Sequence, residues 1–365
     1  MNSIKRLSAL SLTLVFGLAA CDDGTGPDAD GPFDPTSSAA DLQAVQSAFD
    51  TPVFASLASM SGRFSQINGA PALASTLMDA GWDLATAGES WQLQEAGDRI
   101  AGALYNTSAA ALLIPENFRG RTYVHRPEEG YYFDEERTGA PANGMRFILY
   151  EVNPVTNEPG ATEIGYVDIL DESTDVALVA RLIVISGQTE FMNYTVSASG
   201  LLGSISFGVN GFITDGTDQV DLDLTTSFSS TFASESVEIT YVIGVPTRDF
   251  NLTASLVLEF ERETDQSSMT IDVQFTERSH SVQFQGSFSL GEQEAGTLLV
   301  LVNGQLFATI TIEGDGFVIV GPNGETLSAE QAQALREMMD GLEDLFDDTF
   351  EDFVRPVSWL FQFGD

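Results

Sequence analysis

Apolar and polar residues alternate along most of the chain between residues 219 and 312. In the clearest run, Val220 and Leu222 alternate with Asp221 and Asp223. Because successive strand residues point to opposite faces, this period of two predicts strands with one buried and one solvated face. Sheets of that kind are typically antiparallel. The alternation therefore predicts a large antiparallel meander at the centre of the fold.

The same alternation begins earlier in the chain and predicts about 11–12 strands in total. Short turn-like breaks separate the runs. Asn303-Gly304 between two apolar runs is a strong hairpin signal, and the segment from Arg126 to Gly130 predicts another hairpin. The sheet is expected to occupy residues 116–326.

Helical patterns flank this predicted sheet. Residues 41–115 are expected to be a helical segment, in which Thr51-Pro52 marks one helix start because proline suits the first helical position. A long amphipathic helix is predicted over residues 327–356, where Ser328 and Gln331 form a capping box. Its apolar stripe comprises Leu335, Met338, Met339, Leu342, Leu345, Phe346, Phe350, Phe353 and Val354.

The expected fold class is therefore α+β. It is a large curved antiparallel meander or a partly closed barrel, covered by N-terminal helices and by the long C-terminal helix. Residues 357–365 are expected to be an aromatic strand or tail, and residues 41–365 one folded domain. In outline this resembles the half-barrel of periplasmic lipoprotein and lipid carriers, but no motif transfers functional residues. The alternative is a transmembrane barrel whose apolar face meets lipid.

The amino terminus has the parts of an export signal in the usual order. A basic start, Met1 to Arg6, precedes an apolar run, Leu7 to Gly17, that is too short to span a bilayer. Leu18-Ala19-Ala20-Cys21 then resembles the lipobox of bacterial lipoproteins. The resemblance implies that residues 1–20 are a cleaved signal peptide and that Cys21 carries a diacylglyceryl thioether.

The lipobox also sets the expected location. The partner of acylated Cys21 would be the lipid bilayer, and the protein would be anchored in the cell envelope, on the periplasmic or cell-surface side. The choice between inner and outer membrane stays open. Residues 21–40 are rich in Asp, Gly and Pro and contain few apolar side chains, so they are expected to be a disordered tether.

Charge narrows the range of partners. The 365-residue chain has a net charge of −39, and loss of Lys5 and Arg6 with the signal peptide leaves 54 acidic and 13 basic residues. Nucleic-acid binding needs a basic surface and is therefore excluded. A basic protein partner or a divalent cation fits the acidic charge.

Candidate chemistry is sparse. His125 and His280 are the two histidines and Cys21 is the single cysteine, so neither a classical zinc site nor a Cys–His enzyme is expected. No hydrolase, P-loop or dinucleotide motif occurs. We therefore predict no catalytic residue and no cofactor, and no ligand-binding residue can be assigned. Acidic residues of the last predicted helix are candidate metal ligands or a basic-partner surface, unless they form a solvated face: Asp344, Asp347, Asp348 and Glu351.

Three functions remain open at this point. The first is a membrane-anchored envelope lipoprotein with a non-enzymatic structural or interaction role. The second is a carrier of an apolar ligand, such as a lipid, held between sheet and helices. The third is a hydrolase with an unrecognised site.

Overall fold

Most of the described chain is one β-sheet. The computed structural model describes residues 51–60 and 113–339, except 128, 157, 202, 265, 278–279, 291–294, 314–315, 330, 334 and 337–338. Fifteen strands lie in the order β15-β14-β13-β12-β11-β10-β9-β8-β7-β6-β5-β4-β3-β1-β2. They are β1 (Arg121–Arg126), β2 (Gly130–Phe133), β3 (Gly144–Val152), β4 (Pro159–Asp171), β5 (Ala177–Ser186), β6 (Thr189–Leu201), β7 (Ser204–Thr214), β8 (Gln219–Ser230), β9 (Ser234–Val245), β10 (Phe250–Glu261), β11 (Gln266–Glu277), β12 (His280–Leu290), β13 (Ala295–Val302), β14 (Gln305–Glu313) and β15 (Gly316–Val320).

The predicted α+β class is wrong. From β3 to β15 each strand pairs antiparallel with the next, but β1 lies between β2 and β3 and pairs with β3 in parallel. The sheet is therefore mixed and has fifteen strands rather than about 11–12. The described residues contain one α-helix of eight residues, α1 (Pro52–Ser59), instead of a helical layer. The pattern of alternation could not reveal the parallel pairing, because it reports which face is buried and not which strand is the neighbour.

Within the meander, the alternation predicts the faces correctly. In β8, Val220, Leu222 and Leu224 are buried, while Asp221 and Asp223 lie on the solvated face. The turn at Asn303-Gly304 is a tight hairpin in which both residues have positive φ, 50° and 74°. Such angles suit Asn and Gly and match the twist of the flanking strands. The hairpin between β1 and β2 is also confirmed.

Three strands, β9, β13 and β15, are not among the runs predicted from the sequence. β9 alternates regularly from Val237 to Val245, but its first buried position is Glu235, which forms an ion pair with Arg262. β13 contains an unbroken apolar run, and β15 is only five residues long. The alternation that begins at Val220 also predicts a buried Phe232, but Phe232 lies beyond the end of β8 and is fully exposed.

Helix α1 packs on β3 and β4. As predicted, it starts at Thr51-Pro52, and the Thr51 side chain accepts a hydrogen bond from the backbone N–H of Phe54 at 3.4 Å. Leu57 is completely buried, and the Ser56 hydroxyl accepts a hydrogen bond from the backbone N–H of Tyr150 at 3.0 Å. The helix is thus tied to the sheet through both apolar and polar contacts. The other helices predicted within residues 41–115 lie largely outside the described residues.

The sheet is followed by the start of a helical segment. The backbone N–H of Ser328 donates to the Gln331 side chain at 3.0 Å, and the N–H of Gln331 donates to the Ser328 hydroxyl at 3.2 Å. Leu335 is completely buried. No helix of the length predicted for residues 327–356 is found among the described residues, and positions after 339 lie outside them. In the described part of the chain, no helix is long and apolar enough to cross a membrane.

Candidate functional site

Two depressions in the surface of the sheet are lined by described residues. The larger, about 550 Å³, lies over β7 to β10, and the smaller, about 420 Å³, lies over β3 and β4. Both are largely open to solvent. They differ in how their charges are compensated, and that difference identifies the candidate site.

The larger cavity is built from one cross-strand row. Phe212 of β7 lies opposite Asp221 of β8, Asp221 lies opposite Gly244 of β9, and Gly244 lies opposite Asn251 of β10. All four point to the solvated face, because Ile213, Val220, Leu222, Ile243, Val245, Phe250 and Leu252 beside them along the strands are buried. We call this cavity the Gly244 pocket. Its lining comprises Asn210, Gly211, Phe212, Asp221, Leu222, Asp223, Val242, Gly244, Pro246, Phe250 and Asn251.

Gly244 forms the floor of this pocket. A Cβ atom added there would meet the Asn251 Oδ1 and the Asp221 Cβ at 3.9 Å, which is ordinary van der Waals contact, so the floor has room for a Cβ without a clash. Neighbouring strands are about 4.8 Å apart, and the residues on either side, Asp221 and Asn251, therefore stand as two walls. Along β9 itself the pocket is bounded by Val242 and Pro246. The result is a trough with polar sides and apolar ends.

The carboxylates of the Gly244 pocket interact with neutral donors. The Gln219 side-chain amide donates to Asp221 at 2.6 Å, and the Asn210 amide donates to Asp223 at 3.1 Å. The described residues that line the pocket include no Arg, Lys or His. Two negative charges therefore lie at the pocket without a neighbouring cation among the lining groups.

A carboxylate just outside the pocket shows the contrast. Asp218 accepts hydrogen bonds from the Thr247 hydroxyl at 2.6 Å and from Arg248 at 2.8 and 3.0 Å. These contacts lower the pKa of Asp218 below its ordinary value, with the Thr247 hydrogen bond first and Arg248 second. Asp218 thus has its own countercharge, whereas no ion pair of Asp221 or Asp223 is found among the described residues.

The smaller cavity is internally neutralised. Arg146 donates from Nε and Nη2 to Asp168 at 2.6 and 2.7 Å, and its guanidinium lies 3.7 Å from the centre of the Tyr166 ring. Hydrogen bonding to Asp168 raises the pKa of Arg146. Arg137 pairs with Glu163 in the same cavity. Because these charges compensate each other, the smaller cavity is best explained as part of the structure.

The site residues predicted from sequence lie elsewhere. Cys21 and the candidate metal ligands Asp344, Asp347, Asp348 and Glu351 are all outside the described residues. Within the described part, no group of three or more His, Cys, Asp or Glu side chains could hold a metal ion.

The Gly244 pocket was missed in the sequence. Alternation placed Asp221 and Asp223 on the polar face correctly. The missing signal is a glycine at a polar-face position of the neighbouring strand, together with an aromatic residue, Phe212, on that same face. No protein-family model, curated protein or solved structure matches this chain.

Proposed function

We propose that the protein is a lipid-anchored protein of the bacterial cell envelope with a non-enzymatic interaction role. The observation that carries the role is the broad solvated face of the sheet, which presents the open Gly244 pocket. The anchor rests on Leu18-Ala19-Ala20-Cys21 and on the Asp/Gly/Pro-rich stretch that follows. A tether of that composition would hold the sheet away from the membrane surface.

The chemistry of the pocket supports binding rather than catalysis. Its side chains are carboxylates, amides and apolar groups, which can orient a ligand. The lining residues contain no Ser, Cys, Lys or His, so the carboxylates of Asp221 and Asp223 are the groups present that could act as nucleophile or base. Both already accept hydrogen bonds from amides. Interaction is therefore the role that these side chains serve best.

Replacement of the lipidated residue tests the anchor. Cys21→Ser should move the full-length protein from the membrane fraction to the soluble fraction and remove the acyl mass from the N-terminal peptide. Asp23→Asn is the matched control, because it changes the adjacent tether and retains Cys21. A Cys21→Ser protein that stays membrane-bound with unchanged mass would overturn the proposal.

One observation favours carriage of an apolar ligand as a second candidate. The Tyr194 hydroxyl is buried on the apolar face and has no hydrogen-bond partner among the described residues, and the Thr226 hydroxyl is in the same situation. Burial raises the pKa of Tyr194 well above its ordinary value. A buried polar group without a partner is destabilising by about 1–3 kcal/mol, and the polar end of an amphiphile could supply one.

Native mass spectrometry of the protein purified from membranes tests this second candidate. A carrier should retain a lipid-sized adduct, and Tyr194→Phe should weaken the retention of an amphiphile by removing its polar contact. A clean apo mass, with no uptake of added fatty acid, would overturn carriage.

A further inference from the structure

We propose that the Gly244 pocket receives an arginine side chain from a basic protein partner. This inference rests on the proposed interaction role and names the chemistry of its partner. It combines three features of the pocket: uncompensated charge, an open glycine floor, and an aromatic ring on the solvated face.

Charge selects a cation. Asp221 and Asp223 interact with amides, as Asp272 also does, whereas Asp168, Asp171 and Glu235 of the same sheet have arginine partners. The pocket differs from the Asp272 site in holding two such carboxylates beside a glycine and an aromatic ring. The whole chain has a net charge of −39. Such a field draws basic partners towards the protein and accelerates their association.

The shape of the pocket favours an organic cation at the end of a chain of methylene groups. Val242 and Pro246 bound the trough along β9, so they can contact the methylene groups of an entering side chain. The open space over Gly244 leads between Asp221 and Asn251. A planar guanidinium can hydrogen-bond to a carboxylate through two parallel N–H groups.

The aromatic ring adds to this preference. Phe212 is half-buried on the solvated face and lies opposite Asp221 in the register of β7 and β8. A guanidinium within about 6 Å of an aromatic ring is attracted to its face. Arginine is therefore favoured over lysine, whose compact ammonium cannot stack or bind in two places at once.

A metal ion fits the pocket less well. The two carboxylates already accept hydrogen bonds from amide N–H groups, and apolar residues form much of the remaining wall. A hard cation such as Ca²⁺ takes six to eight oxygen ligands, and no group of acidic residues of the required kind occurs in the described part of the chain.

Calorimetric titration of the full-length protein in detergent micelles tests the proposal. The probes are the capped tripeptide Gly-Arg-Gly, the same peptide with uncharged citrulline in place of arginine, and methylguanidinium. The arginine peptide should bind at one site, and the citrulline peptide at least about tenfold more weakly, because it lacks the charge-assisted hydrogen bonds. The arginine peptide should also bind more tightly than methylguanidinium, because only the peptide has the stem. Equal affinity of these two would overturn assignment to a protein side chain.

Two variants act on the pocket by different routes. Asp221→Asn removes charge with little change of shape, and Gly244→Val fills the floor while leaving the charges in place. Each should weaken binding of the arginine peptide by about 10- to 100-fold. Asp272→Asn is the matched control, because Asp272 also lies on the solvated face, accepts a hydrogen bond from the Gln283 amide at 2.9 Å, and is not among the pocket residues.

The outcomes separate this inference from the proposed function. Absence of binding to wild type, full binding by Gly244→Val, or an equal loss in Asp272→Asn would each overturn the pocket assignment, the last by showing that binding follows overall charge. If the titration fails but Cys21→Ser becomes soluble, the envelope anchor is supported and the pocket assignment is overturned. If the titration succeeds but Cys21→Ser stays membrane-bound, the pocket assignment is supported and the envelope anchor is overturned.

Discussion

The first four strands and the later meander of the same sheet are held together by different kinds of contact. In the meander, β9 and β10 pair over twelve consecutive positions, from Phe250↔Val245 to Glu261↔Ser234, without a register shift. In the first region, β1 and β3 pair in parallel over only three positions, and the pairing of β3 with β4 shifts register on both sides of Tyr150. Strand pairing dominates the meander, whereas side-chain packing must contribute more in the first region.

An aromatic cluster supplies much of that packing. Phe147 of β3 is completely buried, stacks on Tyr123 at 4.9 Å between ring centres, and meets Tyr131 edge-on at 5.5 Å. The Tyr131 hydroxyl donates to the carbonyl of Ile148 at 2.9 Å. The cluster thus joins β1, β2 and β3, where few ladder hydrogen bonds are available.

A buried carboxylate adds hydrogen bonds that also stabilise the first region. Asp171, at the end of β4, accepts hydrogen bonds from the Arg119 guanidinium at 2.6 Å, from the backbone N–H of Ser173 at 3.1 Å and from that of Ile114 at 3.3 Å. Its side chain is 2% exposed. It therefore fixes the segment that leads into β1 against the far end of β4.

The largest expected change in stability comes from a substitution that disrupts the aromatic cluster. Phe147→Ala should lower the free energy of unfolding by about 3–5 kcal/mol, because it leaves a cavity and removes two aromatic contacts. Phe284→Ala in β12 is the matched change in the meander, since Phe284 is also buried. Urea denaturation compares the two. If both variants lose the same stability, the two regions do not differ in the way we describe.

The next effect concerns the buried carboxylate. Asp171→Asn should lower the free energy of unfolding by about 1.5–3 kcal/mol, because hydrogen bonds to a charged group are lost while Arg119 stays partly buried. Limited proteolysis should then cut first near residues 113–120. A variant with wild-type stability and wild-type cleavage would show that Asp171 does not hold this segment.

Two glycines of the meander are expected to differ in how much stability is lost when each is replaced by alanine. Gly211 in β7 has φ of 152°, and a Cβ atom there would lie 2.4 Å from the Tyr194 Cα and 2.2 Å from the Asn193 carbonyl oxygen. Gly211→Ala should therefore lower the free energy of unfolding by about 1–3 kcal/mol. Gly244→Ala should be neutral or slightly stabilising, because its Cβ would make only ordinary van der Waals contacts at 3.9 Å. Thermal melts that show equal losses would contradict the contact geometry.

The comparison also explains what could be predicted from sequence. Most meander strands show their buried face in their own residues, as Val220, Leu222 and Leu224 do in β8, so alternation predicted those strands. The burial of Glu235 in β9 could not be read from β9 itself, because its countercharge, Arg262, lies in the turn between β10 and β11. Parallel pairing of β1 with β3 depends on contacts that no single strand displays.

The Gly244 pocket could be predicted only in part, for the same reason. The sequence of β8 places Asp221 and Asp223 on the solvated face. The pocket exists because β9 contributes a glycine and β7 a phenylalanine at matched positions of the register. Register between strands is set by the folded sheet and its turns, so the site becomes visible only in three dimensions.

The smallest expected effect is the pH-dependent contribution of Asp218, the meander's partly exposed counterpart of the buried Asp171. Asp218 joins the turn before β8 to Thr247 and Arg248 in the turn between β9 and β10. Because these contacts lower the pKa of Asp218, their contribution is fully present above the ordinary Asp pKa, about 3.9. This contribution is lost as the pH falls through the lower pKa of the folded state.

Asp218→Asn should therefore lower the free energy of unfolding by about 0.2–1 kcal/mol at pH 7, as for a partly exposed ion pair. The difference in stability from wild type should vanish in acid. Thr247→Val removes the hydroxyl that contributes most, so it should move the loss of stability to higher pH. Urea melts between pH 2.5 and pH 7 measure all three proteins, and a difference that persists unchanged at the acid end would show that Asp218 stabilises the turns by packing instead of by charge.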